Sequence, residues 1–311
     1  MSWEVYAGQL LEATIRAGTP LLLATLGEIY AERSGVLNLG VEGMMIVGAI
    51  TAFMIAYVTA NPWLGVLAAI LAAVLLSLVH AFVSITLKTN QVVSGLALTF
   101  VGLGVSAMLG KAYIGVVLPA SIRPIRIPVL SDIPIIGPGL FEQDPIAYIA
   151  IILVPIMWFI LYKTEFGLNI RAVGENPAAA DTLGVNVYLI RYICVAIGGG
   201  LAGLAGAHLS LAYTPMWVEG MTAGRGWIAI GLTIFAMWSP GRALIGAYLF
   251  GGIDILQFRL QQYNIPPNLL GMLPYVFTIL ALLVGTTERI KKRIGAPAAL
   301  GIPYTRGERA G

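Results

Sequence analysis

Long apolar stretches recur along the whole chain, and each is close to the length of a membrane crossing. A transmembrane helix needs about 20 mostly apolar residues. The candidate stretches lie near 8–28, 36–59, 63–87, 92–112, 146–162, 188–213, 226–238, 243–260 and 268–285. The seventh and eighth are short, which also fits a broken or re-entrant element. Because a helix satisfies its own backbone hydrogen bonds in lipid, the sequence predicts an all-α integral membrane protein with about nine (eight to ten) transmembrane helices.

The composition agrees with this prediction and argues against other classes of protein. With 58% hydrophobic and 11% charged residues, the 311-residue chain has too few polar side chains to cover a soluble globule. We therefore treat residues 1–311 as a single transmembrane domain. The basic residues are spread over loops and one tail without interleaved aromatics, so we expect no binding to nucleic acid.

The distribution of lysine and arginine predicts which loops face the cytosol. Basic loop residues stay on the cytoplasmic side of a membrane. If the basic tail 286–311 is cytosolic, most other basic residues are cytosolic as well, and so is the short polar segment 164–186. The proline-rich stretch 113–145 then becomes a large extracytoplasmic loop. Nine crossings place the N-terminus outside, whereas one missed crossing in the first 60 residues moves it inside.

The polar segment, residues 164–186, separates two long apolar stretches. Asn176 is suited to cap a helix that has Pro177 as its first residue and ends at Gly184, so we predict a brief helix near 177–183. Such a helix lies outside the bilayer. Because almost all of the chain lies in the membrane, this helix is where a cytosolic partner would bind and apply force.

The second apolar stretch opens with polar residues. Asn38 and Glu42 are four residues apart and share one helix face. Polar groups in lipid are costly unless they face protein or water. Two interpretations stay open: the face lines a path through the membrane, or it joins helices by hydrogen bonds. Asp254 in the eighth stretch presents the same choice, whereas we interpret Glu28 and Arg33 as interfacial charges.

Polar and aromatic residues also mark the ends of other stretches. Asn90, Gln91 and Ser94 open the fourth stretch, where capping of the helix is favoured over gating. Trp217 and Trp227 suit an interfacial aromatic belt. Arg225, between two glycines at a helix start, is a candidate contact for a substrate or a docked protein. The full set of candidates for the path is Asn38, Glu42, Asn90, Gln91, Ser94, Arg225, Trp227 and Asp254.

Sequence signals for catalysis or cofactor binding are weak. Residues 198–203 match a dinucleotide fingerprint, but they lie inside an apolar helix, where the glycines favour close helix packing. His80 and His208 lack a second ligand at metal spacing, so we expect ordinary hydrogen-bonded histidines and no metal. No P-loop motif occurs in the chain. We therefore expect no cofactor and no enzymatic activity of its own, including ATP hydrolysis.

Three motifs carry a resemblance to a known family. Residues 35–45 (GVLNLGVEGMM), 171–180 (RAVGENPAAA) and 224–230 (GRGWIAI) resemble the membrane permeases of ABC importers for branched-chain amino acids, ribose and nucleosides. The similarity covers most of residues 20–285. The form of residues 26–45 is most similar to the nucleoside permeases, although 236–238 depart from the expected pattern.

The resemblance implies a type II ABC importer-like permease, a subunit of an ATP-driven importer of nucleosides. It implies as partners an ABC ATPase, a second, different permease chain, an extracytoplasmic substrate-binding protein and membrane lipid, in a prokaryotic plasma (inner) membrane. The polar segment corresponds to the helix that couples the permease to the ATPase. Its candidate coupling residues are Arg171, Gly174, Glu175, Asn176, Pro177, Ala178, Asp181 and Gly184.

Other functions remain as alternatives. A permease for a simple sugar or a branched-chain amino acid would have a similar sequence. An ion-coupled secondary transporter would need its own acidic residues, for which Glu42 and Asp254 are the candidates. An intramembrane enzyme would need a paired nucleophile and base or a metal motif, and neither histidine has such a partner in the sequence.

Overall fold

The computed structural model describes residues 3–263, 265–285 and 295–306, and these are mostly helical. The helices are α1 (Trp3–Arg33), α2 (Val41–Thr59), α3 (Pro62–Ala81), α4 (Gln91–Gly110), α5 (Ile136–Phe141), α6 (Pro145–Lys163), α7 (Glu165–Glu175), α8 (Pro177–Thr182), α9 (Val187–His208), α10 (Arg225–Phe235), α11 (Pro240–Leu260), α12 (Pro267–Leu270) and α13 (Leu273–Gly285). Two short strands, β1 (Ile125–Arg126) and β2 (Glu142–Gln143), pair antiparallel. Of the predicted tail 286–311, residues 295–306 are described and the others lie outside the described residues.

Six helical segments in the described part of the chain are long and apolar enough to cross a membrane. They are Val41–Thr59, Pro62–Thr86, Gln91–Tyr113, Pro145–Lys163, Val187–Tyr213 and Pro240–Leu260. The predicted count of about nine is not confirmed. Of the other three stretches, α1 has 31 residues but many charges, and α13 is described over 13 residues. Helix α10 has 11 residues, which span about 17 Å and fall short of the roughly 30 Å of a bilayer core.

Glycines bring the central helices into close contact. A side chain on Gly27 would meet Gly198 of α9 at 2.9 Å, and one on Gly48 would meet Gly203 at 2.7 Å. Gly203 also packs against the carbonyl oxygen of Ala69 on α3. Small residues allow helix backbones to approach in lipid, where packing replaces the hydrophobic effect as the main attraction between helices. The prediction that the glycines of 198–203 serve helix packing is confirmed.

The two ends of the helix bundle differ in structure. At one end lie α7, α8, the C-terminus of α1 and residues 295–306; we call this the polar-segment end. At the other end, the predicted loop 113–145 is folded: it contains α5 and the β1–β2 pair, and Gly8 of α1 packs against Pro138. Trp217 is 1% exposed and packs against Gly110, so its predicted place in an interfacial belt was wrong.

The polar segment folds as two helices. Asn176 accepts a hydrogen bond from the Ala179 amide at 3.0 Å, Pro177 is the first residue of α8, and Gly184 has a φ of 87°. The predicted cap and short helix are confirmed, because a cap depends only on neighbouring residues. Helix α7 was not predicted; Thr164 caps it by accepting from the Gly167 amide.

Candidate functional site

The helices α2 and α10 begin close to each other, near the middle of the bundle. Gly226, in the first turn of α10, has no room for a side chain, because a Cβ would lie 2.5 Å from the Glu42 backbone. The next residue of α2, Gly43, packs against Gly102, which lies near the middle of the 20-residue α4. The two helix N-termini therefore meet about halfway through the molecule.

The Glu42 carboxylate of α2 joins the two helices by hydrogen bonds to the start of α10. Its Oε1 accepts from the Thr222 hydroxyl at 2.6 Å and the Gly224 amide at 2.9 Å, and its Oε2 accepts from the Gly226 amide at 2.6 Å. A helix N-terminus has unpaired N–H groups and a positive dipole end, and both favour a carboxylate. Glu42 is 4% exposed, and protein donors engage both its oxygens. This geometry supports the interpretation that Glu42 joins helices.

The far end of α10 is held by α1. Trp238 Nε1 donates to Glu32 Oε2 at 2.5 Å, and the Arg33 side chain donates to the carbonyl oxygens of Met237 and Trp238 at 3.4 Å. Met237 and Trp238 have positive φ angles, 48° and 52°, which end the helix. Residues 236–238, where the sequence departs from the family pattern, thus connect α10 to α1. Arg33, which we predicted to be a simple interfacial charge, has a structural role here.

A second polar cluster lies between α1 and the start of α2. Glu28 is 1% exposed and its Oε1 accepts from the Asn38 amide at 3.1 Å. The Asn38 side chain is itself fully buried and accepts from the Gly40 amide at 3.0 Å. The prediction that Glu28 is interfacial was wrong. Its carboxylate satisfies an amide of the irregular segment before α2, a partner ten residues away that helical periodicity does not reveal.

The start of α4 binds the same irregular segment. Asn90 accepts from the Val93 amide at 3.1 Å, which confirms its predicted capping role. Gln91 and Ser94 do not cap: Gln91 Oε1 accepts from the Leu37 amide at 2.7 Å, and Ser94 Oγ lies 3.0 Å from His80 Nδ1. His80 Nε2 lies 3.1 Å from the Leu37 carbonyl oxygen, which only accepts, so Nε2 carries the proton. Both polar groups of the Leu37 backbone are therefore bonded to side chains.

A cavity of about 270 Å³ lies between α10 and the second half of α11. It is lined by Leu21, Ala223, Arg225, Ile228, Phe250, Asp254, Gln257, Phe258, Gly271 and Pro274. Arg225 Nη2 and Asp254 Oδ2 form an ion pair at 3.0 Å, and the guanidinium lies 5.9 Å from the centre of the Tyr213 ring. The structure thus brings Arg225 and Asp254 together, next to the α2–α10 junction, because the amides of Gly224 and Gly226 on either side of Arg225 bond to Glu42. Trp227 is 38% exposed and does not line this cavity.

The polar segment exposes apolar side chains. Leu183 is 85% exposed and Leu168 is 56% exposed, and a groove of about 570 Å³ lies between them along α7, α8 and the start of α9. Of the predicted coupling residues, Glu175, Asn176 and Gly184 are exposed, whereas Pro177 and Ala178 are half-buried. Sequence reasoning missed the two leucines, although large apolar residues in an otherwise polar loop are a usable signal.

Other predicted coupling residues face the protein. Gly174 is buried with its backbone against the carbonyl oxygen of Arg33, so it sets the position of α7 and leaves no surface for a partner. The Arg171 guanidinium lies 5.6 Å from the centre of the Tyr162 ring. Asp181 accepts from Arg306 at 3.0 Å.

Comparison with known proteins identifies the family. Residues 10–282 match the family described as branched-chain amino acid transport system / permease component. The chain belongs to this permease family. It is 44% identical to TsgC13 of Haloferax volcanii, which is named for glucose ABC transport, over 97% of this chain and 98% of that protein. It is 39% identical to the guanosine permease protein NupQ of Bacillus subtilis over 96% of this chain and 97% of that one. It is 34% identical to the nucleoside permease protein NupC of Lactococcus lactis over 93% and 94% of the two chains.

Family membership has direct consequences. The resemblance found in the sequence is confirmed, and the chain is the permease subunit of an ABC transporter and a multi-pass membrane protein. Membership of this permease family implies an ATPase and a substrate-binding protein as partners. Each of these relatives has the name of a permease and not of an enzyme.

Proposed function

We propose that this permease forms part of the membrane path of an ATP-driven importer of nucleosides. The observation that carries the substrate class is the similarity to NupQ and NupC over more than nine-tenths of the chain. The path candidates Asn38, Glu42, Asn90, Gln91, Ser94, Arg225, Trp227 and Asp254 divide into two groups by their geometry. Arg225 and Asp254 are the candidates for contact with the substrate, Trp227 lies outside the cavity, and the others hold helices or the segment before α2 in place by hydrogen bonds.

The chemistry of the cavity next to Arg225 supports this assignment. A nucleoside has a flat aromatic base and a sugar with neighbouring hydroxyl groups. Asp254 accepts hydrogen bonds from hydroxyls, Arg225 and Gln257 donate them, and Phe250 and Phe258 provide apolar surface for the base. Asp254 and Gln257 lie three residues apart on α11, so both reach the cavity from one helix face.

In this proposal, the polar segment binds the ATPase and therefore faces the cytosol. Its two exposed leucines lie at the end of the bundle, where lipid tails do not cover them, and apolar surface of this kind favours a protein partner. The tail 286–311 is then also cytosolic, whereas residues 113–145 face the substrate-binding protein outside a prokaryotic plasma membrane. A second, different permease chain completes the path.

A simple sugar is the second candidate substrate. The 44% identity to TsgC13, named for glucose transport, favours it, and a sugar offers the same hydroxyl chemistry to Asp254. The two candidates differ in the aromatic base. A base presents a larger flat apolar face to Phe250 and Phe258 than a sugar does, so a smaller side chain there is expected to impair nucleoside uptake more than sugar uptake.

The test uses the complete transporter reconstituted in liposomes with ATP inside. We expect uptake of labelled guanosine that unlabelled nucleosides inhibit, and that glucose and leucine leave unchanged. Asp254→Asn is expected to reduce uptake about tenfold or more, because the site loses a charged acceptor. Glu4→Gln is the matched control, because it makes the same exchange of a carboxylate for an amide at an exposed position in the first turn of α1, outside the cavity.

Three results contradict the proposal in different ways. Inhibition by glucose alone assigns the permease to sugars. Uptake driven by an ion gradient without ATP supports the secondary-transporter alternative. Normal guanosine uptake by Asp254→Asn removes the cavity from the path while leaving the substrate class intact.

A further inference from the structure

Residues 295–306, which we call the C-terminal strap, pack against the polar segment. The Ala299 amide donates to the Gly174 carbonyl oxygen at 2.9 Å, and the Gly301 amide donates to the Gly35 carbonyl oxygen at 3.2 Å. Ala299 is 6% exposed. Through Ala299 and Gly301, the strap thus bonds to α7 and to the turn between α1 and α2, two parts of the chain that are far apart in sequence.

A buried arginine determines the path of the strap. Arg191 is 1% exposed; its Nε donates to the Ser34 carbonyl oxygen and its Nη1 donates to the Ile302 carbonyl oxygen, both at 3.2 Å. A buried guanidinium that loses its acceptors is costly, because its donors then have neither water nor protein partners. The Ile302 backbone therefore belongs to the folded structure at this end.

The end of the strap contacts α8 and α9. The Tyr188 hydroxyl donates to the Tyr304 carbonyl oxygen at 3.4 Å, and the two rings lie 5.9 Å apart. Arg306 Nε lies 3.0 Å from Asp181 Oδ2, two residues before the exposed Leu183. The strap and the polar segment thus form one continuous surface.

This surface has apolar side chains on its outer side. The backbone of Ile302 is bonded to Arg191, but its side chain is 56% exposed, and the next residue, Pro303, is exposed as well. We propose that the C-terminal strap is a second contact surface for the ATPase subunit, adjoining the polar segment, and that Ile302 is its apolar anchor.

Position and chemistry point to the ATPase as the occupant. The strap adjoins Asp181 and Leu183, so a protein large enough to cover the polar segment also reaches it. An exposed isoleucine and proline at the polar end of a membrane bundle are covered by neither lipid tails nor other described parts of the chain. The proposal rests on the proposed function, namely that the polar segment binds the ATPase.

The experiment measures binding of the ATPase subunit to the detergent-purified permease. Ile302→Glu keeps every backbone bond of the strap and replaces an exposed apolar side chain by a charge. We expect about tenfold weaker binding, the size of effect found at apolar anchors of interfaces. Ile302→Arg should weaken binding as well. Because the two variants carry opposite charges, a loss of binding in both cannot come from repulsion by one sign of charge on the ATPase.

Two further variants make the outcomes distinguishable. Ile125→Glu is the matched control, because Ile125 is 51% exposed in the stretch 113–145 at the other end of the molecule. Leu183→Glu tests the polar segment itself. Weaker binding by both Ile302 variants, with Ile125→Glu unchanged, supports the proposal. Wild-type binding by the Ile302 variants and loss with Leu183→Glu overturns the strap contact only. Wild-type binding by all of them overturns the proposed role of the polar segment too.

Discussion

Replacing Glu42 by leucine is expected to destabilise the junction of α2 and α10 severely. The carboxylate accepts three hydrogen bonds, from the Thr222 hydroxyl and from the amides of Gly224 and Gly226. Leucine is of similar size but accepts none. The hydroxyl can rotate to another acceptor, whereas the two amides are fixed, and a buried unsatisfied donor costs about 1–3 kcal/mol. The expected loss is about 2–6 kcal/mol.

Glutamine at the same position is expected to have a smaller effect. Glu42→Gln keeps one oxygen acceptor, but its amide group presents N–H to one of the former donors. We expect a loss of about 1–3 kcal/mol, the cost of one unmade bond. The order of stability should therefore be wild type, then Gln, then Leu.

Thermal unfolding of the purified permease in detergent measures this order. At roughly 2 °C per kcal/mol for a chain of this size, Glu42→Leu should lower Tm by about 4–12 °C. Glu219→Leu is the control, because Glu219 is exposed on the same connection before α10. If Glu42→Leu keeps the wild-type Tm but abolishes transport, the junction argument is refuted and Glu42 acts in the path. Parallel loss of folded protein and transport supports the junction.

Two shorter predictions follow from the same geometry. Gly226→Ala should lower Tm by about 2–6 °C, because the added methyl group overlaps the Glu42 backbone, whereas Gly104→Ala, with open space around it, should leave Tm unchanged or higher. In a Cys194→Ser background, Val129→Cys, at a 78% exposed position, should react with an impermeant thiol reagent in cells with intact inner membranes, and Leu183→Cys only after these are opened. The reverse labelling pattern would invert the proposed topology.

The sequence predicted those features that depend on neighbouring residues. The helix caps at Asn90 and Asn176 were found because a cap side chain bonds an amide two or three residues ahead. The packing role of Gly199 and Gly203 was found because four-residue spacing places both on one helix face. The apolar stretches were found by length, and the shortness of 226–238 agrees with the 11-residue α10.

Features that depend on distant residues were not predicted. Glu28 was interpreted as interfacial because the sequence around it does not reveal Asn38 as its partner. Arg191 lies 111 residues from Ile302, so nothing in the sequence pattern of either links them. The pairing of Arg225 with Asp254 was missed for the same reason, although Asp254 was selected as an acid in an apolar stretch and Arg225 as a charge between two glycines at a helix start.

The described contacts form one connected series from the polar segment to the cavity. Gly174 packs on Arg33, Arg33 holds the end of α10 through Trp238, and the start of α10 is bonded to Glu42 and carries Arg225. The end of α10 is bonded to α1 and its start is bonded to α2, so a force on the polar segment that shifts α1 must move α10 and α2 with it or break those bonds. Breaking the three bonds of Glu42 costs several kcal/mol, so a joint movement of the three helices is favoured. We therefore expect the Arg225–Asp254 pair to change its separation with the nucleotide state of the ATPase, which paired spin labels on α10 and α11 would measure. A constant separation in all nucleotide states would show that α10 does not transmit the movement.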